Sequence, residues 1–190
     1  GIELPEEEEE QKKEVKEVDV PDEVESRCKL GDLWKLGNHR LICGDSSDFE
    51  VHKRLMQDEK ADLLFTDPPY GVAIGSKNKN LNVHCNGERK SIDIQNDNIK
   101  MKDLVLMLDK VFANTKLFLK SSAMLYITIP LGGVFIYEFF KIMKNNEIPL
   151  RHILAWKKNK ATFSMGCLDY DYDMEGIIYT WLNNHINYRK

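Results

Sequence analysis

The chain has 190 residues, 42% of them hydrophobic, and a formal net charge of −4, enough for one domain with its own core. No apolar run has the length of a membrane span, and the glutamate-rich start lacks the basic and apolar regions of a secretion signal, so a soluble cytoplasmic protein is expected. Cys28, Cys43, Cys85 and Cys167 form no CxxC pair and have no histidine at zinc-ligand spacing, which speaks against a metal site or a disulfide framework and fits free thiols in a reducing compartment.

The charge is unevenly placed. Residues 1–25 hold twelve acids and three lysines, leaving 24 basic and 19 acidic residues over 26–190, about +5. The first stretch has little to bury and reads as an acidic linker or tail, disordered or helical, outside the fold. The positive remainder suits a polyanionic partner and equally an ordinary mixed-charge surface.

In chain order, "GDLWKLGNHRLICGD" contains two short apolar runs, Leu33 to Leu36 and Arg40 to Cys43, around Gly37-Asn38, and predicts a hairpin. "SSDFEVHKRLMQ" predicts a helix capped by Ser46, Ser47 or Asp48. "ADLLFT" follows as a buried strand, then a long helix over 100–119 and a strand, "SAMLYITIP", ended by Pro130. "GGVFIYEFFKIMKNN" predicts a third helix, and "LRHILAW" and "EGIIYTWL" two more strands. This alternation predicts an α/β fold, a mostly parallel sheet with helices on both faces. Between Gly71 and Asn96 lies a stretch without periodicity, containing Lys77, Lys79, Arg89 and Lys90. Its length predicts a functional loop or an inert insertion.

The segment with the clearest chemistry is "LLFTDPPYG", residues 63–71. Open α/β sheets bind ligands beyond the carboxyl ends of their strands, and this strand ends in an aspartate and a proline carbonyl, two acceptors side by side. Two acceptors suit an NH2 group. The exocyclic amine of a nucleobase is a weak nucleophile because its lone pair is delocalised, and accepting both its hydrogens lets that pair localise. Tyr70 offers a flat ring on which an extruded base could stack. A turn that merely stops a strand and packs a tyrosine is the competing account; an inward-facing carboxylate locked to backbone would favour it.

"TDPPYG" resembles motif IV of the amino-methylating DNA methyltransferases, which transfer a methyl group from S-adenosylmethionine to adenine N6 or cytosine N4. "GDLWKLGNHRLICGDSSD" before it, "NDN" at Asn96 to Asn98 and "ILAWKKN" at Ile153 to Asn159 fall in the order of phage-type or prophage-type adenine methylases of the β class. The resemblance spans about residues 29–181, with 26–190 as the catalytic part. It implies a Rossmann-like methyltransferase sheet, here incomplete, with about five of the usual seven strands and the N-terminal hairpin in front.

The resemblance assigns Asp67, Pro68, Pro69 and Tyr70 to catalysis, with Asp67 and Pro68 on the target amine and Tyr70 under the flipped base. Asp45, Thr66 and Asp97 become cofactor residues, with Asp45 also readable as a turn aspartate before the next helix and Asp97 as a helix cap near Met101. Lys77, Lys79, Arg89, Lys90, Trp156 and Lys157 become DNA-binding residues; a core tryptophan beside a surface lysine is the other account of the last two. The implied cofactor is S-adenosylmethionine, and the partners are DNA, an upstream ParB-like domain in a longer parent chain, and a second copy in a homodimer. No metal and no membrane are implied. Asp at the first motif position favours adenine over cytosine N4 and over amide or amine substrates in RNA or protein, and no cysteine follows a proline as cytosine-C5 chemistry requires. The β-class "FxGxG" segment is absent after Tyr70. The chain therefore reads as the catalytic portion of a longer enzyme, inactive and weak in cofactor binding alone, with an exposed apolar sheet edge and face. A DNA-binding methylase remnant is the alternative.

Overall fold

A computed structural model describes residues 27–71, 99–162 and 172–184. The elements run β1 (Leu33–Leu36), β2 (His39–Ile42), α1 (Phe49–Met56), β3 (Ala61–Thr66), α2 (Met101–Leu117), β4 (Leu119–Ile129), α3 (Phe135–Asn145), β5 (His152–Thr162) and β6 (Tyr172–Trp181). The acidic stretch 1–25 and the aperiodic stretch after Gly71 lie outside the described residues.

The expected hairpin is present: β1 and β2 pair antiparallel with Leu36 opposite His39. Gly37 has φ of +63°, a conformation that costs glycine little and other residues more. Of the three candidate caps for α1, Asp48 is the one used, its side chain accepting from the Glu50 N–H.

The main sheet has the order β3-β4-β6-β5. It has four strands among the described residues where about five were expected, and the hairpin stands apart as its own two-stranded sheet. β3 pairs parallel with β4, and β6 pairs antiparallel with both β4 and β5. Thus β3, β4 and β5 point one way, as the βαβ alternation requires, and β6 is inserted between the last two in reverse. Gly176 marks the insertion: a Cβ there would come within 2.8 Å of Leu131 Cδ2 and 2.9 Å of Ile129 Cγ1.

The core lies on one face of this sheet. Along β4, Ala123, Leu125, Ile127 and Ile129 are fully buried, every second residue as the pleat dictates. They meet Leu104, Leu108 and Phe112 of α2 and Phe135, Phe139, Ile142 and Met143 of α3 in one cluster. Phe139 and Phe112 pack edge to face with centroids 5.6 Å apart.

Among the described residues the helices lie on one face of the sheet, where both faces were expected to carry them. α1 buries no residue completely and packs Phe49 and His52 against Phe118 at the end of α2, so it supports the helical layer. The opposite face carries Leu63 and Phe65, 49% and 68% exposed, beside Tyr126 and Tyr179 stacked at 5.0 Å. The apolar run "LLF" in β3 has the pattern of a strand buried on both sides, and only its Leu64 side is packed against the core.

This layering makes a testable distinction. Phe139→Ala should lower the unfolding free energy by about 3–5 kcal/mol, whereas Phe65→Ser should change it by less than about 1 kcal/mol, as read from urea denaturation.

Candidate functional site

β3 ends at Thr66, opposite Ile127 in the parallel register, and the next four residues, Asp67 to Tyr70, leave the sheet at its carboxyl end. Pro68 is buried, Pro69 and Tyr70 are half-buried and Asp67 is exposed. Gly71 follows with φ of +67° and so little room that a Cβ would stand 3.1 Å from Leu104 Cδ2. The proline pair and this glycine fix the exit path of the chain.

Among the described residues the Asp67 carboxylate has side-chain partners and no backbone donor. Its Oδ1 accepts from the Tyr70 hydroxyl at 2.8 Å and from the Thr128 hydroxyl. The Tyr70 hydroxyl also lies 2.7 Å from Thr128 Oγ1, within donating distance. Among the described residues Oδ2 has no hydrogen-bond partner. The Tyr70 ring packs against the core beside Phe135, centroids 6.1 Å apart. Burial, together with its bond to Asp67, pushes the Tyr70 phenol well above the ordinary tyrosine value of 10.0, a rise that the Thr128 contact partly offsets.

Two further strands reach this end of the sheet. Ala155 and Ile129 both stand opposite Gly176, so Trp156 and Glu175, paired with each other, lie one residue further on. By alternation they share the face of Thr128 and Ile177. Trp156 is 49% exposed, the Lys158 ammonium sits 5.2 Å from its ring centroid, and Lys158 also pairs with Glu175. Lys157, opposite Met174, belongs to the other face, so the lysine associated with Trp156 is Lys158.

Asp45 stands beyond β2, and its Oδ1 accepts from the Ser47 N–H at 2.8 Å. Bonds from the Ser47 backbone and side chain hold its carboxyl below the usual range, aided by the Lys110 charge. The carboxylate closes the turn leading into α1, which Asp48 caps. Thr66 contributes its carbonyl, 3.5 Å from Thr128 Oγ1. Asp97, Lys77, Lys79, Arg89 and Lys90 lie outside the described residues.

The structure thus brings Asp67, Pro68, Pro69, Tyr70 and Thr66 together, with Trp156 at the same end on β5, separated from β3 by β4 and β6. Thr128 and Lys158 were missed in sequence: one reads as an ordinary strand threonine and the other as one of several lysines. The strict alternation of β4 places Thr128 on the face away from the core, the only sequence signal for it. Among the described residues no group of three or more His, Cys, Asp or Glu could hold a metal ion, and no helix is long and apolar enough to cross a membrane.

No family model and no curated protein matches the chain. Among solved structures, the M1.HpyAVI–SAM complex is 18% identical with a TM-score of 0.46, covering 74% of this chain and 52% of that one. TTHA0409 of Thermus thermophilus, named as a DNA modification methylase and complexed with S-adenosyl-L-methionine, is 14% identical with a TM-score of 0.44, covering 77% and 56%. A precorrin-6y C5,15-methyltransferase from Geobacter metallireducens is 10% identical with a TM-score of 0.30, covering 70% and 86%. The chain spans about half the length of the first two.

The raised Tyr70 phenol has a consequence for stability. The folded state keeps this proton to higher pH than the unfolded chain, so the contribution is complete below pH 10 and is lost as pH rises from about 10 through the folded value. Between about pH 9 and pH 11, wild-type protein should lose more stability to urea than Tyr70→Phe, which has no proton to release there.

Proposed function

We propose that this chain carries the acceptor half of an S-adenosylmethionine-dependent DNA methyltransferase acting on the N6 amine of adenine. The observation that carries this reading is the exposed Asp67 carboxylate beyond β3, held through Oδ1 by side-chain hydroxyls. A carboxylate serving only to stop the strand would have no need of two hydroxyl anchors at a solvent-facing edge.

The chain's own residues do the following. Asp67 Oδ2 and the Pro68 carbonyl accept the two hydrogens of the target amine, which draws electron density onto the nitrogen and localises its lone pair for attack. The nitrogen forms the new bond to carbon and sheds one hydrogen as a proton, for which the exposed carboxylate offers a path to water. Trp156 supplies an exposed aromatic face on the same side of the sheet, suited to stacking an extruded base. Tyr70, whose ring is packed beside Phe135, fixes the turn and takes part in base contact with its remaining surface. The Lys158 ammonium, paired with Glu175 and lying beside the Trp156 ring, steadies that ring for the contact. When bound, S-adenosylmethionine would supply an electrophilic methyl group on a sulfonium, the carbon–sulfur bond breaking with its electron pair left on sulfur as a neutral thioether. Thr66 is the residue at this strand end proposed to border it, and Asp45 fits that role less well because its carboxylate is committed to Ser47.

That commitment favours one alternative, a remnant that binds DNA without transferring methyl groups. The decisive assay uses the protein carrying this chain at its full natural length, with tritiated cofactor and duplex DNA. Asp67→Ala should lower methyl transfer by roughly a thousandfold or more while DNA binding is retained. Undiminished turnover in the variant would reject the assignment; label recovered in N4-methylcytosine would change the base.

A further inference from the structure

Thr128 is a buried polar side chain, 3% exposed, to which the proposed chemistry gives no task. It stands between Ile127 and Ile129 near the end of β4, where valine or isoleucine would fill the same β-branched space. A hydroxyl buried there costs free energy unless it is bonded. Its surroundings are three oxygens: Asp67 Oδ1, the Tyr70 hydroxyl at 2.7 Å and the Thr66 carbonyl at 3.5 Å.

Only two protons are available to this group, one on each hydroxyl. Thr128 donates to Asp67 Oδ1, because a carboxylate oxygen accepts more strongly than a carbonyl or a phenol oxygen. The Thr66 carbonyl, at the outer limit of hydrogen-bond length, is the weaker acceptor. The Tyr70 proton is then shared between Thr128 Oγ1 and Asp67 Oδ1 at 2.8 Å. Both hydroxyls therefore act on one carboxylate oxygen, and Oδ2 is the oxygen left to accept from a ligand.

We propose that Thr128 is a positioning residue that clamps Asp67 Oδ1, so that the carboxylate cannot rotate and Oδ2 is presented to the substrate amine. This rests on the methyltransferase reading. Thr128 itself touches no reacting atom. Tyr70 alone leaves the carboxylate one anchor at the far side of the turn, about which it can swing. A second anchor from a different strand removes that freedom, and β4 is rigid because it is paired on both sides.

The test compares wild type, T128V and T128S in the full-length natural protein, measuring methyl transfer to duplex DNA with KM for DNA and cofactor. T128V keeps the shape and loses the donor; kcat should fall roughly ten- to hundredfold with both KM values unchanged. T128S, which restores the hydroxyl, should recover most of that loss. If T128V fails to fold by circular dichroism, T128A, which introduces no new contact, provides the same comparison. A valine or alanine variant as fast as active wild type overturns the proposal and leaves the methyltransferase reading intact. A loss that serine does not rescue also overturns it, pointing to packing alone. If wild type transfers no methyl group, the underlying reading fails and takes this proposal with it.

Discussion

The parallel register between β3 and β4, with Thr66 opposite Ile127, is the constraint on which the site and the core both depend. In a pleated strand a slip of one residue sends every side chain to the other face. Such a slip would turn Leu125, Ile127 and Ile129 away from α2 and α3 and carry Thr128 out of reach of Asp67. The register is held by fully buried branched side chains, each worth about 1.5–3 kcal/mol relative to exposure. Hydrophobic packing on one side of β4 thereby sets the geometry of a polar contact on the other.

This arrangement explains how an exposed carboxylate can keep two protein partners. Surface side chains normally lose little by rotating, because water replaces any partner they leave. Here the oxygen facing the protein meets hydroxyls from a turn and from a strand, and the tyrosine's ring is tied into the core cluster. The rigidity of the interior reaches the edge of the sheet through two O–H bonds. Lys158 and Glu175 do similar work nearby, steadying an exposed tryptophan with charge instead of packing.

Local signals made several parts of the fold legible in the sequence. The period of α2, the glycine in the β1–β2 turn and the proline stop after β4 each depend on neighbours in the chain, and each element appears where those signals lie. The Asp-Pro-Pro-Tyr turn was legible for the same reason. Pairing partners are another matter, because no residue within "EGIIYTWL" states that this strand will run backwards between two others. The choice of Lys158 over Lys157 follows from strand alternation, but only once β5 is known to continue past Trp156, where "LRHILAW" ends. Thr128 was hidden for a related cause, since its meaning depends on a residue 61 positions away.

The inserted position of β6 bears on how the molecule is made. Among the described strands it is the last of the sheet in the sequence and yet an interior one in space, so during synthesis β4 and β5 leave the ribosome with the slot between them unfilled. Each presents unpaired backbone groups until residues 172–181 arrive. Closing that slot needs Gly176 to slide in against Ile129 and Leu131, where a side chain would collide. The nascent chain therefore spends its most adhesive interval immediately before the sheet is sealed, and a substitution at this glycine would prolong that interval, with its cost appearing as aggregated product.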